Sequence, residues 1–553
     1  MIRCCSTIVL SAVLAAGCSK KSSGPPVIPG PFNLVSQTLN GFSTTPPYFN
    51  ISNSPVIKFA FSSPVDRSSV GSSFYFKDNS GVSIPYNASY ENKDSTVVIQ
   101  PASVLTAISK YGVGFSTNLE SQGKVFLQKQ IDIQFLTAID STDKFPRLTD
   151  SALLSLVQQQ TFKYFWDFGH PVSGLARERT TSGDLVTTGG SGFGIMAMLV
   201  GVQRNFILRT DALTRITTIV NFLATKVTSY HGAFPHWLNG ATGATIPFSA
   251  NDDGGDIVET SYMMQGLLCA RQYFSSGSDS SEIRLRTAIN NLWNKVDWNW
   301  YRQGGQNILY WNWSPDFNWA VNVPVRGWNE ALITYVLAAS SAVSSIPKTV
   351  YDSGWAQNGG IKNGNNYFGI TLPLGPAEGG PLFFAHYSFL GINPNGLTDA
   401  YANYWNQNTA HTQINYNYCI SNPHNYFGYS NLCWGLSASD EQNGYSAHAP
   451  GNDDGVITPT AAISSLPYTP TQSLGALRFF YYTLGNKIWG QYGFIDAFNL
   501  STIWYDSDWL AIDQGPEIVM IENYRTGLLW NLFMSCPEIK TGMKNLGFQG
   551  PNL

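Results

Sequence analysis

The chain has 553 residues and a formal net charge of −4. That is too long for one ordinary domain, and it lacks the basic excess that nucleic acid or an anionic membrane surface would require. Charged residues make up only 12%, about half the usual share, while aromatics reach 14% with 16 Trp, so neutral polar groups and flat rings dominate. Such a surface suits a neutral hydroxylated ligand.

Residues 1–18 are expected to be a lipoprotein signal peptide. Arg3 supplies the positive end, an apolar run at 8–16 is too short to span a bilayer, and LAAGC at 14–18 is similar to a bacterial lipobox. This implies cleavage before Cys18 and lipid attachment to its sulfur. The protein would face the periplasm, preferably at the outer membrane, and touch lipid only through that anchor. Residues 19–30 form a Ser/Gly/Pro tether. From 31 to 140 the pattern has period two, with Ile57, Phe59 and Phe61 alternating in one strand and Gly, Pro, Asn and Ser clusters between runs. Strands at this spacing predict a β-sandwich similar to bacterial Ig-like domains.

After about 147 the period becomes helical: Leu154, Val157, Thr161 and Phe165, then Leu213, Ile216, Val220 and Leu223, then Ile289, Leu292 and Val296. Further helices are expected near 256–274, 328–345, 470–485 and 515–535. Roughly 400 residues of helix divided by long Gly/Asn/aromatic loops fit an all-α toroid, in which loops at the N-terminal ends of the inner helices converge on one rim. The glycines of GGSGFG, 189–194, are expected to turn the chain at that rim.

Four acidic stretches precede or open helices. NDDGGDIVET contributes Asp252, Asp253, Asp256 and Glu259; RGWNEA places Glu330 in a first turn; GNDDG contributes Asp453 and Asp454; IDQGPEIVMIE contributes Asp513, Glu517 and Glu522, with Pro516 at a helix start. An isolated Asp here is ordinarily a cap. Asp256 and Glu259 share a helical face, however, and like charges at that spacing repel. They need a hydroxyl-rich ligand, a cation or a shared proton. If the helices form one ring, the acids pool in one cleft. One carboxyl is then held protonated by its neighbours while another stays ionised, the pair that glycosidic bond cleavage requires. The acids at 252–256 and 452–454 invite a structural calcium, but neither stretch has the alternation of an EF-hand loop. The seven Cys show no zinc spacing and no HxxxH pair occurs, so no metal or cofactor is expected. Cys419 and Cys433 are open to pairing only in an oxidising compartment.

The ordered motifs GGDIVETSYMMQGLL, RGWNEALITYVLA, CWGLSASDEQNGYSAHAP, DDGVITPTAAISSLPYTP and WLAIDQGPEIVMIENYRTGLLW resemble the glycoamylase-like family, which includes the bacterial β-1,2-glucanases of glycoside hydrolase family 144. The resemblance spans 147–548. It implies an (α/α)6 toroid following the Ig-like sandwich, and inverting hydrolysis of β-1,2-glucan or its oligosaccharides, endo or disaccharide-releasing exo. It implies Glu330 as general acid and Asp513 as base or base-side carboxylate, with Asp440 and Asp454 as rivals for the second role. Asp252, Asp253, Asp256 and Glu259 would position sugar hydroxyls, and Trp328 and Trp434 would be stacking platforms. The expected partner is a neutral β-glucan, with the chain a monomer. A polysaccharide lyase on the same toroid and a lipid-anchored, non-catalytic glycan-binding protein are the competing readings. An acidic cleft repels the uronic acids that lyases cut, and binding alone leaves the pooled acids unexplained.

Overall fold

The computed structural model describes residues 30–41 and 46–553; the expected signal peptide, its Cys18 and nearly all of the tether lie outside the described residues. The chain divides into two compact units, 1–138 and 139–553.

The first unit contains β1 (Leu34–Leu39), β2 (Tyr48–Ile51), β3 (Ile57–Phe61), β4 (Phe74–Asp78), β5 (Tyr86–Glu91), β6 (Thr96–Pro101), β7 (Lys110–Phe115) and β8 (Ile131–Thr137). They form two four-stranded sheets, in the orders β1-β3-β6-β5 and β2-β8-β7-β4. The expected alternation holds: Ile57, Phe59 and Phe61 are buried, while Lys58 and Ala60 between them are less so. Phe59 meets Phe115 of the other sheet edge-on at 5.1 Å, so the inner faces interlock. A short helix, α1 (Arg67–Ser73), follows β3, and the strand pattern does not announce it. Asp66 caps it by accepting from the Ser68 N–H at 3.0 Å.

The second unit is helical. It contains α2 (Asp150–Trp166), α3 (Thr188–Gln203), α4 (Arg209–Thr225), α5 (Ile257–Tyr273), α6 (Ser280–Lys295), α7 (Leu332–Ser340), α8 (Lys348–Val350), α9 (Tyr404–Ser421), α10 (Pro459–Ser464), α11 (Pro470–Arg478), α12 (Gly485–Ile488), α13 (Ala511–Thr526), α14 (Leu528–Met534) and α15 (Pro537–Leu546). Two kinds of helix are present. In α3, α5, α7, α10 and α13 nearly every side chain is buried. In α4 and α6 a single apolar stripe is buried, as their sequence period requires. The buried helices pack on one another: α3 against α5 and α13, α5 against α7, and α13 against α10. A 3₁₀ turn at Tyr387–Leu390 touches both α7 and α13. No helix among the described residues is long and apolar enough to cross a membrane.

Two local expectations are corrected. Residues 189–194 do not turn the chain but form the first turns of α3. Their glycines serve packing, since a Cβ on Gly192 would lie 2.2 Å from the Tyr262 carbonyl oxygen, and one on Gly266 2.2 Å from the Gly192 oxygen. The α3 and α5 backbones therefore touch, and that contact offsets the roughly 1 kcal/mol by which each helical Gly falls short of Ala. Pro516 does not start a helix but lies inside α13, which begins at Ala511. As the sixth residue it removes one bond of the ladder, the one that an N–H there would make to the Ile512 carbonyl. Gly192→Ala should lower the unfolding free energy by about 1–3 kcal/mol through overpacking, read as a fall in thermal midpoint; an unchanged midpoint would show that α3 and α5 yield there.

Candidate active site

The N-terminal ends of α3, α5, α7 and α13 border one cavity of about 630 Å³, lined among others by Thr187, Asp256, Glu259, Glu330 and Ile512. Convergence of helix N-termini places partial positive charge around the hollow, which favours the carboxylates gathered there.

Asp256 is the N-cap of α5, accepting at Oδ1 from the Val258 and Glu259 N–H groups, each at 2.9 Å. Its Oδ2 lies 2.9 Å from Nδ1 of His236. Glu259 accepts from the Gly189 N–H at 2.8 Å. The repulsion between Asp256 and Glu259 is therefore answered by a cation, the His236 imidazolium. Burial alone would lower this imidazole's pKa, but the Glu259 charge and the Asp256 bond outweigh it and hold the ring up to about 9. Glu259 is itself raised, chiefly by burial, and Asp252 is raised by burial and by Asp256.

Glu330 precedes α7 and is partly buried, its side chain opening on the cavity. Asn329 braces this entry by accepting from the Ala331 N–H at 2.9 Å, and the Ser388 hydroxyl donates to the Glu330 carbonyl. Surrounding protein, with the Glu259 and Asp256 charges, raises its carboxyl to about 7.

Asp513 occupies the first turn of α13 and is 4% exposed; it is not itself among the cavity-lining residues, but its neighbour Ile512 is. Its carboxyl meets that of Asp496, which is fully buried. Burial raises both, Asp513 to about 7 and Asp496 well above the carboxylate range. The interaction between them lowers Asp513 and raises Asp496, which favours the proton on Asp496. Asp496 Oδ2 also accepts from the Asp440 N–H at 2.7 Å. The Asp440 carboxylate is clamped by Arg179 at 2.6 Å, and the same guanidinium reaches Glu178 at 2.8 Å. Tyr387 lines the cavity, and its hydroxyl feels the charges of both Asp513 and Glu330. Two acids 183 positions apart in sequence thus bear on one side chain.

Among the described residues, two groupings of acidic and histidine side chains have ligand-atom spacing for a cation. In Asp440, Asp506 and Asp508 the ligand atoms lie within 4.8 Å of one another, but Arg179 already neutralises Asp440, and the Thr180 and Thr181 hydroxyls donate to Asp508. The other is Glu441, His448 and Asp454.

The family model Glycoamylase ("Putative glucoamylase") matches residues 322–537, and the Bacterial Ig-like domain model matches 39–143. A solved endo-β-1,2-glucanase from Chitinophaga pinensis, in complex with sophorotriose and glucose, is 52% identical; the match covers 74% of this chain and 100% of that one, with a TM-score of 0.72. The chain belongs to the glycoamylase-like family. A β-1,2-glucanase structure from Parabacteroides distasonis is 36% identical over 95% of this chain and 74% of that one, with a TM-score of 0.71. The curated exo β-1,2-glucooligosaccharide sophorohydrolase (non-reducing end) of the same organism is 45% identical over 421 residues; this chain spans only 58% of its length.

Several expected site residues of this glycoamylase-like chain lie elsewhere. Asp253 is not among the cavity-lining residues but accepts from the Ser314 hydroxyl at 2.5 Å, holding the loop before α5. Trp328 is 4% exposed, packs near Phe389 and Tyr404, and donates its indole N–H to His411 at 3.3 Å. Trp434 is fully buried edge-on to Tyr416. Neither indole has a face for a sugar, because each fills a core gap behind the motif that contains it. Asp454 is exposed and does not line the cavity. Glu522 sits far along α13 in a bond with Arg204 at 2.6 Å, and Glu517 accepts from the Thr161 hydroxyl at 2.8 Å. Cys419 and Cys433 are buried free thiols.

Sequence reasoning missed His236, Asp496, Tyr387 and the cavity-lining rings Trp237, Phe248 and Phe383; Trp311 and Tyr445 also line the cavity. Phe248 and Tyr445 are 44% and 47% exposed. FPHW and YGFID carried no spacing signal; their partners come from other segments. Because the folded His236 is raised above its unfolded value, its ionic contribution is complete below about pH 6.5 and is lost as pH rises through about 9. An NMR titration should place its midpoint near 9 and show a fall in Asp256→Asn; a midpoint near 6.5 in the parent chain would contradict the pairing.

Proposed function

We propose that this chain is a glycoside hydrolase that cleaves β-1,2-glucan or its oligosaccharides with inversion, endo or disaccharide-releasing exo. The observation that carries the reading is that Glu330, just before α7, lines the cavity and Asp513 follows the lining residue Ile512 at the start of α13, both carboxyls raised to about 7 and both charges acting on the lining residue Tyr387. We read the two kinds of helix as an (α/α)6 toroid with this cavity at its mouth.

In the proposed reaction the protonated Glu330 donates to the departing glycosidic oxygen. Asp513, kept ionised by the proton that Asp496 holds, takes up the proton released as water attacks the anomeric carbon. Asp252, Asp256 and Glu259 accept from sugar hydroxyls, and Tyr445, Phe248 and Trp311 offer faces to the rings. Related proteins named as β-1,2-glucanase and sophorohydrolase support the substrate class. A lyase is disfavoured because the cavity's cations, Arg179 and His236, are already spent on carboxylates. Pure glycan binding gives no role to two carboxyls tuned near neutrality.

Purified protein incubated with linear β-1,2-glucan should yield β-1,2-linked products whose masses distinguish random chain cutting from release of disaccharide; no product from any β-glucan overturns the reading. Glu330→Gln should lower kcat by about 10²–10⁴-fold, the usual worth of general acid catalysis, with substrate binding kept; a near-normal rate removes Glu330 from the role. Activity is lost as pH rises through about 7, where Glu330 gives up its proton, and as pH falls through about 7, where Asp513 gains one. The kcat profile should therefore be a narrow bell near neutrality, and a flat profile from pH 5 to 9 would refute this pairing. We also propose the lipid anchor at Cys18 on the periplasmic side. Cys18→Ala should release the protein from the membrane fraction, whereas full retention there rejects the anchor.

A further inference from the structure

The hairpin formed by Ala438–Glu441 and Gly444–Ala447 contributes Ala438, Tyr445 and Ala447 to the cavity wall. On leaving the hairpin the chain makes a tight turn, with Ala449 and Asn452 bonded backbone to backbone in both directions at 3.0 and 2.8 Å. Behind this wall Glu441, His448 and Asp454 bring one ligand atom each within 4.8 Å of the others.

His448 is the telling member. Its side chain is fully buried, yet neither Nδ1 nor Nε2 has a hydrogen-bond partner among the described residues. A buried polar group without a partner is destabilising, and native folds supply an ion, a water or a donor to such groups. Here two carboxylates flank the ring, so what is missing is positive charge. Asp453 does not partner the ring; its Oδ1 accepts from the Tyr429 hydroxyl at 2.7 Å and the Gly455 N–H at 3.0 Å.

We infer that Glu441, His448 and Asp454 bind a first-row divalent cation of the zinc class, with water completing its coordination. One imidazole nitrogen beside two carboxylate oxygens matches that class, whereas calcium takes oxygen ligands alone. The three ligands come from the hairpin tip, its exit and the following turn. The cation therefore pins the strand pair that carries Tyr445 to the loop leading into α10. Its role is structural, and it does not depend on the reaction assigned to Glu330 and Asp513.

The full chain, stripped of metal and dialysed against Zn²⁺, should retain one equivalent by elemental analysis and gain several degrees in thermal midpoint. His448→Ala should lose both effects. Asp454→Asn, a change at an exposed side chain that leaves the core intact, should weaken retention at least tenfold. Asp506→Asn, in the other acidic grouping, should retain the ion. Failure of the parent chain to retain Zn²⁺ overturns the inference. So does loss in Asp506→Asn with retention in Asp454→Asn, or stabilisation by Ca²⁺ with none by Zn²⁺.

Discussion

Like charges buried side by side must share protons or acquire cations, and both solutions operate around this cavity. Asp256 and Glu259 acquire His236, a ring held up to about 9 by the two acids it serves. Asp513 and Asp496 share a proton, and Asp440 takes the guanidinium of Arg179. Glu330 has neither partner, so burial and its neighbours' charge keep it near 7. In the proposed reaction, this difference in compensation, rather than the number of acids, separates proton donor from proton acceptor.

This arrangement requires the helix starts to lie close together. The backbone contact between α3 and α5, made possible by Gly192 and Gly266, brings the Gly189 N–H onto Glu259. Glycines that look like a flexible rim in sequence are thus a closely packed part of the helical core. The same contact supplies a backbone donor to a carboxylate that would otherwise be short of partners.

The cavity wall is divided between rigid and exposed parts. Carboxyls stand on helix starts, where caps such as Asp256 and braces such as Asn329 and Ser388 fix their backbone. Aromatic faces stand on connecting segments, with Tyr445 on a hairpin and Phe248 on a loop. The proposed chemistry thus stands at helix starts and the proposed recognition on connecting segments.

Local pattern alone determined the β-sandwich, the helical region and the acids Asp252, Asp256, Glu259, Glu330 and Asp513, because period and capping position are properties of neighbouring residues. Only the tertiary structure decided which aromatic residues face the cavity. Trp328 and Trp434 sit in recognisable motifs yet fill core, while Tyr445, in the same motif as Trp434, and Phe248, in none, stand exposed. It also decided that His236 neutralises an acid pair 20 positions away and that Asp496 protonates against Asp513. A pKa depends on what surrounds a group in space, and for these side chains the surroundings come from segments far away along the chain.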